Sequence, residues 1–206
     1  MSRNAPEPVE LRRAAPIRKE RADAARNRTA ILAAAERLFA EHGVAAVSMD
    51  AVAAEAGVGK GTLFRRFGDK AGLAAALLNE RETELQERIL HGQPPLGPDA
   101  RPVDRLVAFV EAYIAYAYRH LDLIRMSETA APGARYRIGA YRFWHRHVAV
   151  LLAAADPALD ADATAHLVLA ALSAEVLSGI AAARIGRQRV RASTVELVRR
   201  LAVPSS

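Results

Sequence analysis

The sequence contains no cysteine, which removes disulfide frameworks, zinc–thiolate sites and thiol nucleophiles together. Aromatic residues make up only 5% of its 206 residues, so the 51% apolar content rests mainly on alanine and leucine, which favour helices over strands. Long apolar runs are also missing. The longest, Val148 to Ala155, falls far short of the roughly 20 residues a membrane-spanning helix needs. No basic segment followed by an apolar stretch opens the chain. These absences lead us to expect an all-α, cytoplasmic protein without a membrane partner.

Positive charge is what the sequence has in excess. The formal net charge is +6, and Arg3, Arg12, Arg13, Arg18, Lys19, Arg21, Arg26 and Arg28 outnumber Glu7, Glu10, Glu20 and Asp23 in the first 28 residues. With Pro6, Pro8 and Pro16 and no apolar period, residues 1–26 read as a basic, flexible arm. Two uses fit it: plain solvated surface, or phosphate attraction in support of a neighbouring DNA-binding unit.

From Asn27 onward the pattern becomes helical. Ile31, Leu32, Ala35, Leu38 and Phe39 recur at helix spacing before Gly43, predicting a first helix over 28–42. Ser48 is a candidate N-cap for a short helix to Ala56, with Asp50 in its first turn. Gly57 ends it, and a third helix over 60–67 would turn Leu63 and Phe67 inward. Asp69 caps a fourth, 70–90, with Leu73, Leu77, Leu85 and Ile89 on its buried stripe. The segment "HGQPPLGPDARP" (91–102) is a loop. Further helices are expected over 103–120, 122–129, 133–155, 160–186 and 193–202, the last opened by a Ser193–Glu196 capping box.

The glycine-rich stretch "AGVGKGTLFRRF" (Ala56–Phe67) poses the central question, because glycines beside a lysine can cradle phosphate. A P-loop requires glycine five residues before the Gly-Lys pair and Ser or Thr after it, but Ala54 and Gly61 stand there. A dinucleotide fingerprint starting at Gly57 would need glycine where Thr62 stands, and no strand precedes it. A helix-turn-helix accounts for every residue. Gly57 makes the turn, Val52, Ala56, Val58, Leu63 and Phe67 pack inward, and Lys60, Gly61, Thr62, Arg65 and Arg66 are left facing out.

The run from Arg28 to Leu77, with "AGV-x-KGTLF-x-x-F" followed by "x-x-K-x-x-L", resembles the N-terminal domain of the TetR family of bacterial transcriptional repressors. The resemblance implies a three-helix helix-turn-helix DNA-binding domain, here 27–72, and a helical ligand-binding and dimerisation domain, here 73–206. It implies that Lys60, Gly61, Thr62, Phe64, Arg65 and Arg66 face DNA and that Lys70 binds a phosphate; Ser48 joins them as a candidate contact. Serine in place of Gly59, tyrosine in place of Phe64 and Pro-Ser in place of Gly68-Asp69 are usual in that family. Phe64 therefore lacks the hydroxyl that would bond a phosphate.

For the second domain the resemblance implies an unidentified small-molecule effector and a homodimer through the last two long helices, 160–186 and 193–202. The broad apolar stripe of Leu167, Leu169, Leu172, Val176, Leu177 and Ile180 fits such an interface. Phe109, Tyr113, Met126, Tyr141, Trp144 and His147 lie on segments expected around the pocket, although packing alone would also use them. Glu175, inside an apolar run, suits a pocket group, a dimer partner of Arg184 or Arg187, or the stripe's edge. His145 and His147 point apart on a helix, so no metal site, no cofactor and no catalytic constellation is expected. The reading is a ligand-responsive repressor on an inverted-repeat, palindromic operator of double-stranded DNA. The alternatives are a basic architectural DNA-binding protein and, more remotely, a helical enzyme.

Overall fold

In the computed structural model, residues 17–137 and 139–202 are described, and every regular element among them is a helix. In chain order these are α1 (Ile17–His42), α2 (Met49–Glu55), α3 (Lys60–Phe67), α4 (Lys70–His91), α5 (Pro102–Arg119) and α6 (Leu121–Glu128). There follow α7 (Ala134–Arg137), α8 (Gly139–Ala155), α9 (Ala161–Ala171), α10 (Ala174–Ala182) and α11 (Arg187–Leu201). No single helix among the described residues is long and apolar enough to cross a membrane.

The local chemistry accounts for most boundaries. Ser48 is extended, and its hydroxyl accepts the Ala51 amide at 3.1 Å, which starts α2. Gly57 turns the chain with φ +64° between α2 and α3. Asp69 accepts the Gly72 amide at 2.8 Å, starting α4 where serine would be usual.

Three boundaries differ from expectation. Helix α1 begins at Ile17, eleven residues before the predicted start, because no proline stands between 17 and 42 and the Ala, Arg, Lys and Glu residues ahead of 28 are good helix formers. Part of the expected arm is therefore helical, while residues 1–16 lie outside the described residues. The predicted 160–186 helix breaks into α9 and α10, 42° apart, where the Ser173 hydroxyl captures the Val176 amide at 3.2 Å. The Ser193 capping box does not form. Gly186 precedes α11, Thr194 instead donates to the Val190 carbonyl at 2.8 Å, and Glu196 pairs with Arg200 at 2.7 Å.

Two apolar cores result. The first gathers Ile31, Leu32 and Phe39 of α1, Val52 of α2, Leu63 and Phe67 of α3, and Leu73 and Leu77 of α4. The second contains Leu78, Leu85 and Ile89 of the same α4 together with side chains of α5, α6, α8, α9, α10 and α11. Helix α4 therefore belongs to both, its first half in one core and its second half in the other. Helix α6 adds a second link through Leu123 and Met126, which rest against the first core.

Candidate nucleic-acid interface and the helical-domain pocket

Helix α3 divides cleanly into two faces. Leu63 is fully buried and Phe67 is 9% exposed, whereas Lys60, Gly61, Phe64, Arg65 and Arg66 are all exposed and Thr62 is half-buried. A Cβ built on Gly61 would meet nothing within 4 Å, and glycine inside a helix costs about 0.5–1 kcal/mol relative to alanine. The fold itself gains nothing from that glycine. Its bare backbone instead leaves room for something outside the chain to approach closely.

The basic side chains differ in how they are held. Lys60 forms an ion pair with Asp50 of α2 at 2.5 Å. Arg66 donates to the Ala24 carbonyl at 2.8 Å, tying α3 to the early part of α1. Arg65 has no hydrogen bond or ion pair among the described residues, so its guanidinium is available. Phe64, 45% exposed, adds an apolar patch between them.

Lys70 differs from its expected role. Its ammonium donates to the carbonyls of Val44, Ala45 and Val47 at 2.9, 2.9 and 2.8 Å, which uses all three N–H groups. Rather than reaching out to a phosphate, it locks the α1–α2 loop to the start of α4.

The aromatic residues singled out in the second domain do converge. Phe109, Tyr113, Tyr141 and Trp144 are buried. The Phe109 ring lies 5.7 Å from that of Tyr113, 5.9 Å from Trp144 and 5.2 Å from His147. Burial and the nearby Arg105 lower the His147 pKa to about 4, so its ring is neutral, and its Nε2 has no partner among the described residues. Tyr113, Tyr141 and Trp144 reach a small cavity of about 20 Å³; Phe109 and His147 stand behind them.

Two of the expected residues lie away from this cavity. Met126 points to the first core and not to this cavity, because α6 crosses beside α4 at the junction of the two cores. Glu175 is exposed in the first turn of α10, where the helix dipole suits a carboxylate, and it does not line this cavity.

The acids that do face the cavity are Glu82 of α4 and Glu128 of α6. Glu128 sits beside Arg135 at 2.6 Å, with side chains only 10% and 11% exposed, and burial raises its carboxyl above the ordinary range. Glu82 was legible in principle. It follows Leu78 by four residues and precedes Leu85 by three, on the stripe that α4 buries. The Glu128–Arg135 pair spans the Pro132–Gly133 break and has no periodic signal.

Histidines from different helices also come together. His145 of α8 meets Asp162 and His166 of α9, with candidate ligand atoms all within 4.8 Å of one another. The His166 Nδ1 lies 2.6 Å from the Tyr141 hydroxyl. Proximity across helices, invisible to spacing along one helix, creates the cluster. A separate open groove of about 820 Å³ lies between α5 and α11, with Arg88, Arg119, Arg187 and Arg191 on its walls.

Helices α2 and α3, joined at Gly57 and presenting a basic outer face, define a helix-turn-helix module, the class that sets a short helix into a DNA major groove. Residues 31–77 match the family described as "Bacterial regulatory proteins, tetR family". That segment belongs to the TetR family. Among its relatives, the HTH-type transcriptional repressor Rv3405c of Mycobacterium tuberculosis is 35% identical over 141 residues, covering 68% of this chain and 65% of the relative. The chain thus spans just under two thirds of that relative's length. An HTH-type transcriptional regulator of Staphylococcus aureus is 49% identical over 53 residues, 26% of this chain and 29% of the relative.

Solved structures share the fold. A TetR-family transcriptional regulator from Rhodococcus is 23% identical with a TM-score of 0.62, over 86% of this chain and 99% of that one. A transcriptional regulator from Saccharomonospora viridis, solved in complex with choline, is 21% identical with a TM-score of 0.62, over 84% and 96%.

Proposed function

We propose that the protein is a cytoplasmic, ligand-responsive transcriptional repressor that binds an inverted-repeat operator as a homodimer and leaves it when a small molecule enters the helical domain. The observation that carries this reading is the outer face of α3, where Arg65, without a partner among the described residues, an exposed Phe64 and an open Gly61 serve no internal packing. Two such helices about 34–36 Å apart would enter successive major grooves of one duplex face. Lys60 and Arg66 add phosphate or base contacts once they exchange their internal partners, and Ser48 and Thr62 offer hydroxyls beside them.

The homodimer reading is supported by apolar side chains left outside the second core: Val150 of α8 is 46% exposed, Leu167 of α9 71% and Val176 of α10 40%. Helix α11 gives less support than expected, because Val190, Val195 and Val198 are buried against α5 and only Leu197 turns out, 45% exposed. We therefore place the dimer contact on α8–α10. Regulation follows from α4, which shares its length between both cores: a ligand that displaces its second half moves its first half and, through Lys70, the α1–α2 loop. Each ligand then weakens the other by one coupling free energy, typically about 1–3 kcal/mol.

Footprinting of the purified protein on fragments of its own genome tests the reading, together with light scattering for mass. A protected inverted repeat and a dimer are expected. Uniform coating of random DNA, or a monomer that ignores duplexes at low salt, would refute it.

A further inference from the structure

The charge balance of the cavity between α4, α5, α6 and α8 is incomplete. Glu82 and Glu128 both face it, and Arg135 is the one cation on its wall among the described residues. That cation is committed. Its guanidinium holds Glu128 at 2.6 Å and the Leu169 carbonyl at 2.6 Å, while the second Glu128 oxygen accepts the Ala174 amide at 3.0 Å. Glu82 has the Tyr116 hydroxyl alone, at 3.3 Å, among the described residues. A half-buried carboxylate without a counter-charge is costly. Burial, with the Glu128 charge adding to it, raises the Glu82 carboxyl to about 7, so a proton serves in place of a cation over part of the physiological range.

The remaining wall is aromatic. Tyr113, Tyr116, Tyr141 and Trp144 line the space, with the Tyr113 and Trp144 rings edge to face at 5.9 Å. The face of an aromatic ring attracts a desolvated cation, tryptophan most strongly. From the uncompensated carboxylate and its aromatic surround we infer that this cavity binds an organic cation, an amine or quaternary ammonium, with Glu82 as counter-ion and Tyr116 and Trp144 against its substituents. The inference rests on the reading of the helical domain as the effector-binding unit and names that effector's chemical class. At about 20 Å³ the space holds little more than one water, so the ligand enters by parting α4 from α5 and α8. Displacement of α4 is the motion that reaches the DNA-binding core.

The pH dependence of binding follows. The groups facing Glu82 are Tyr113 and Tyr116 of α5, Glu128 of α6, Arg135 of α7 and Tyr141 of α8. Burial raises all three phenols, which stay neutral across the neutral range. A bound cation favours ionised Glu82, so affinity falls about tenfold per pH unit below 7 and levels off above it.

Trp144 is the only tryptophan in the chain, so its emission reports on this wall directly. The test titrates the full-length protein with choline, benzyltrimethylammonium, the neutral isostere 3,3-dimethylbutan-1-ol and benzoate, reading Trp144 fluorescence and release of bound DNA in parallel. Saturable shifts with the two cations, at least tenfold tighter than with the neutral alcohol, are expected. Glu82→Gln, checked for helical content, should abolish that preference, and Glu87→Gln on the exposed side of α4 should retain it. Equal response to the alcohol, or a preference unchanged in Glu82→Gln, overturns the proposal. Because charge selectivity is read on the native protein, a Glu82 variant that failed to fold would leave the test intact. If benzoate or the alcohol releases DNA while both cations are silent, the cation assignment falls and the effector reading survives. If no compound of any charge moves either signal, both fall.

Discussion

The two candidate sites of this chain sit on opposite sides of the folding problem. The α3 surface is made of residues the fold does not use: Gly61 meets nothing, Arg65 binds nothing within the described chain, and Phe64 points out of the core. The cavity of the helical domain is made of residues the fold depends on, since Tyr113, Tyr141 and Trp144 are also part of the second core. Substitutions in the first should separate binding from stability, and substitutions in the second should move both together.

The strongest test of that contrast is Trp144→Ala. Trp144 is 3% exposed, and truncating a buried tryptophan typically costs about 3–5 kcal/mol. Urea unfolding should show a loss of that order along with loss of ligand response; a stable Trp144→Ala protein that fails only in ligand response would break the comparison. Next comes Arg65→Ala. It should weaken DNA binding by about 1–3 kcal/mol if it reads a base, or flatten the salt slope by about one unit if it meets a phosphate. Its unfolding midpoint should stay within about 0.5 kcal/mol of the parent, and a larger shift would show that the α3 surface is structural after all.

A smaller effect is expected at Glu82, which sharpens the comparison because its charge opposes folding. The folded carboxyl titrates near 7, above its ordinary 4.5, so the unfolded state releases that proton first as pH rises. Stability from this group is complete below about 4.5 and is lost as pH climbs through about 7. Urea titrations at pH 5 and pH 8 should therefore show a falling difference in the parent that Glu82→Gln lacks. The smallest effect is Gly61→Ala, expected to stabilise the fold by about 0.5–1 kcal/mol while weakening DNA affinity in a mobility-shift assay. If both change in the same direction, the open space beside Gly61 has another explanation.

The first region was legible in the sequence because turn chemistry fixes it locally. Ser48, Gly57 and Asp69 each declare a helix boundary, and the apolar period between them selects Leu63 and Phe67 as the buried pair. Lys70 escaped that logic, since its three carbonyl partners lie 23 to 26 residues away. In the second region the same reading named the aromatic cluster but not its chemistry. Met126 was named for the segment it lies on and Glu175 for its place within an apolar run, whereas the packing of α6 against the first core and the Ser173 break before α10 decide where they point. Glu82 stands beside a buried stripe that the apolar period marks through Leu73, Leu77, Leu85 and Ile89 alone.

Lys70 has a consequence for how the protein would answer two different stimuli. Its grip on the loop is a set of short contacts between one ammonium and neutral carbonyls, half-buried and internal, which dissolved ions hardly weaken. Attraction between arginines and a phosphate chain is long-ranged and fades steeply with electrolyte. Ionic strength would thus set how tightly the molecule holds DNA at the outset, while the internal link through which an effector loosens that hold would keep its strength in salt.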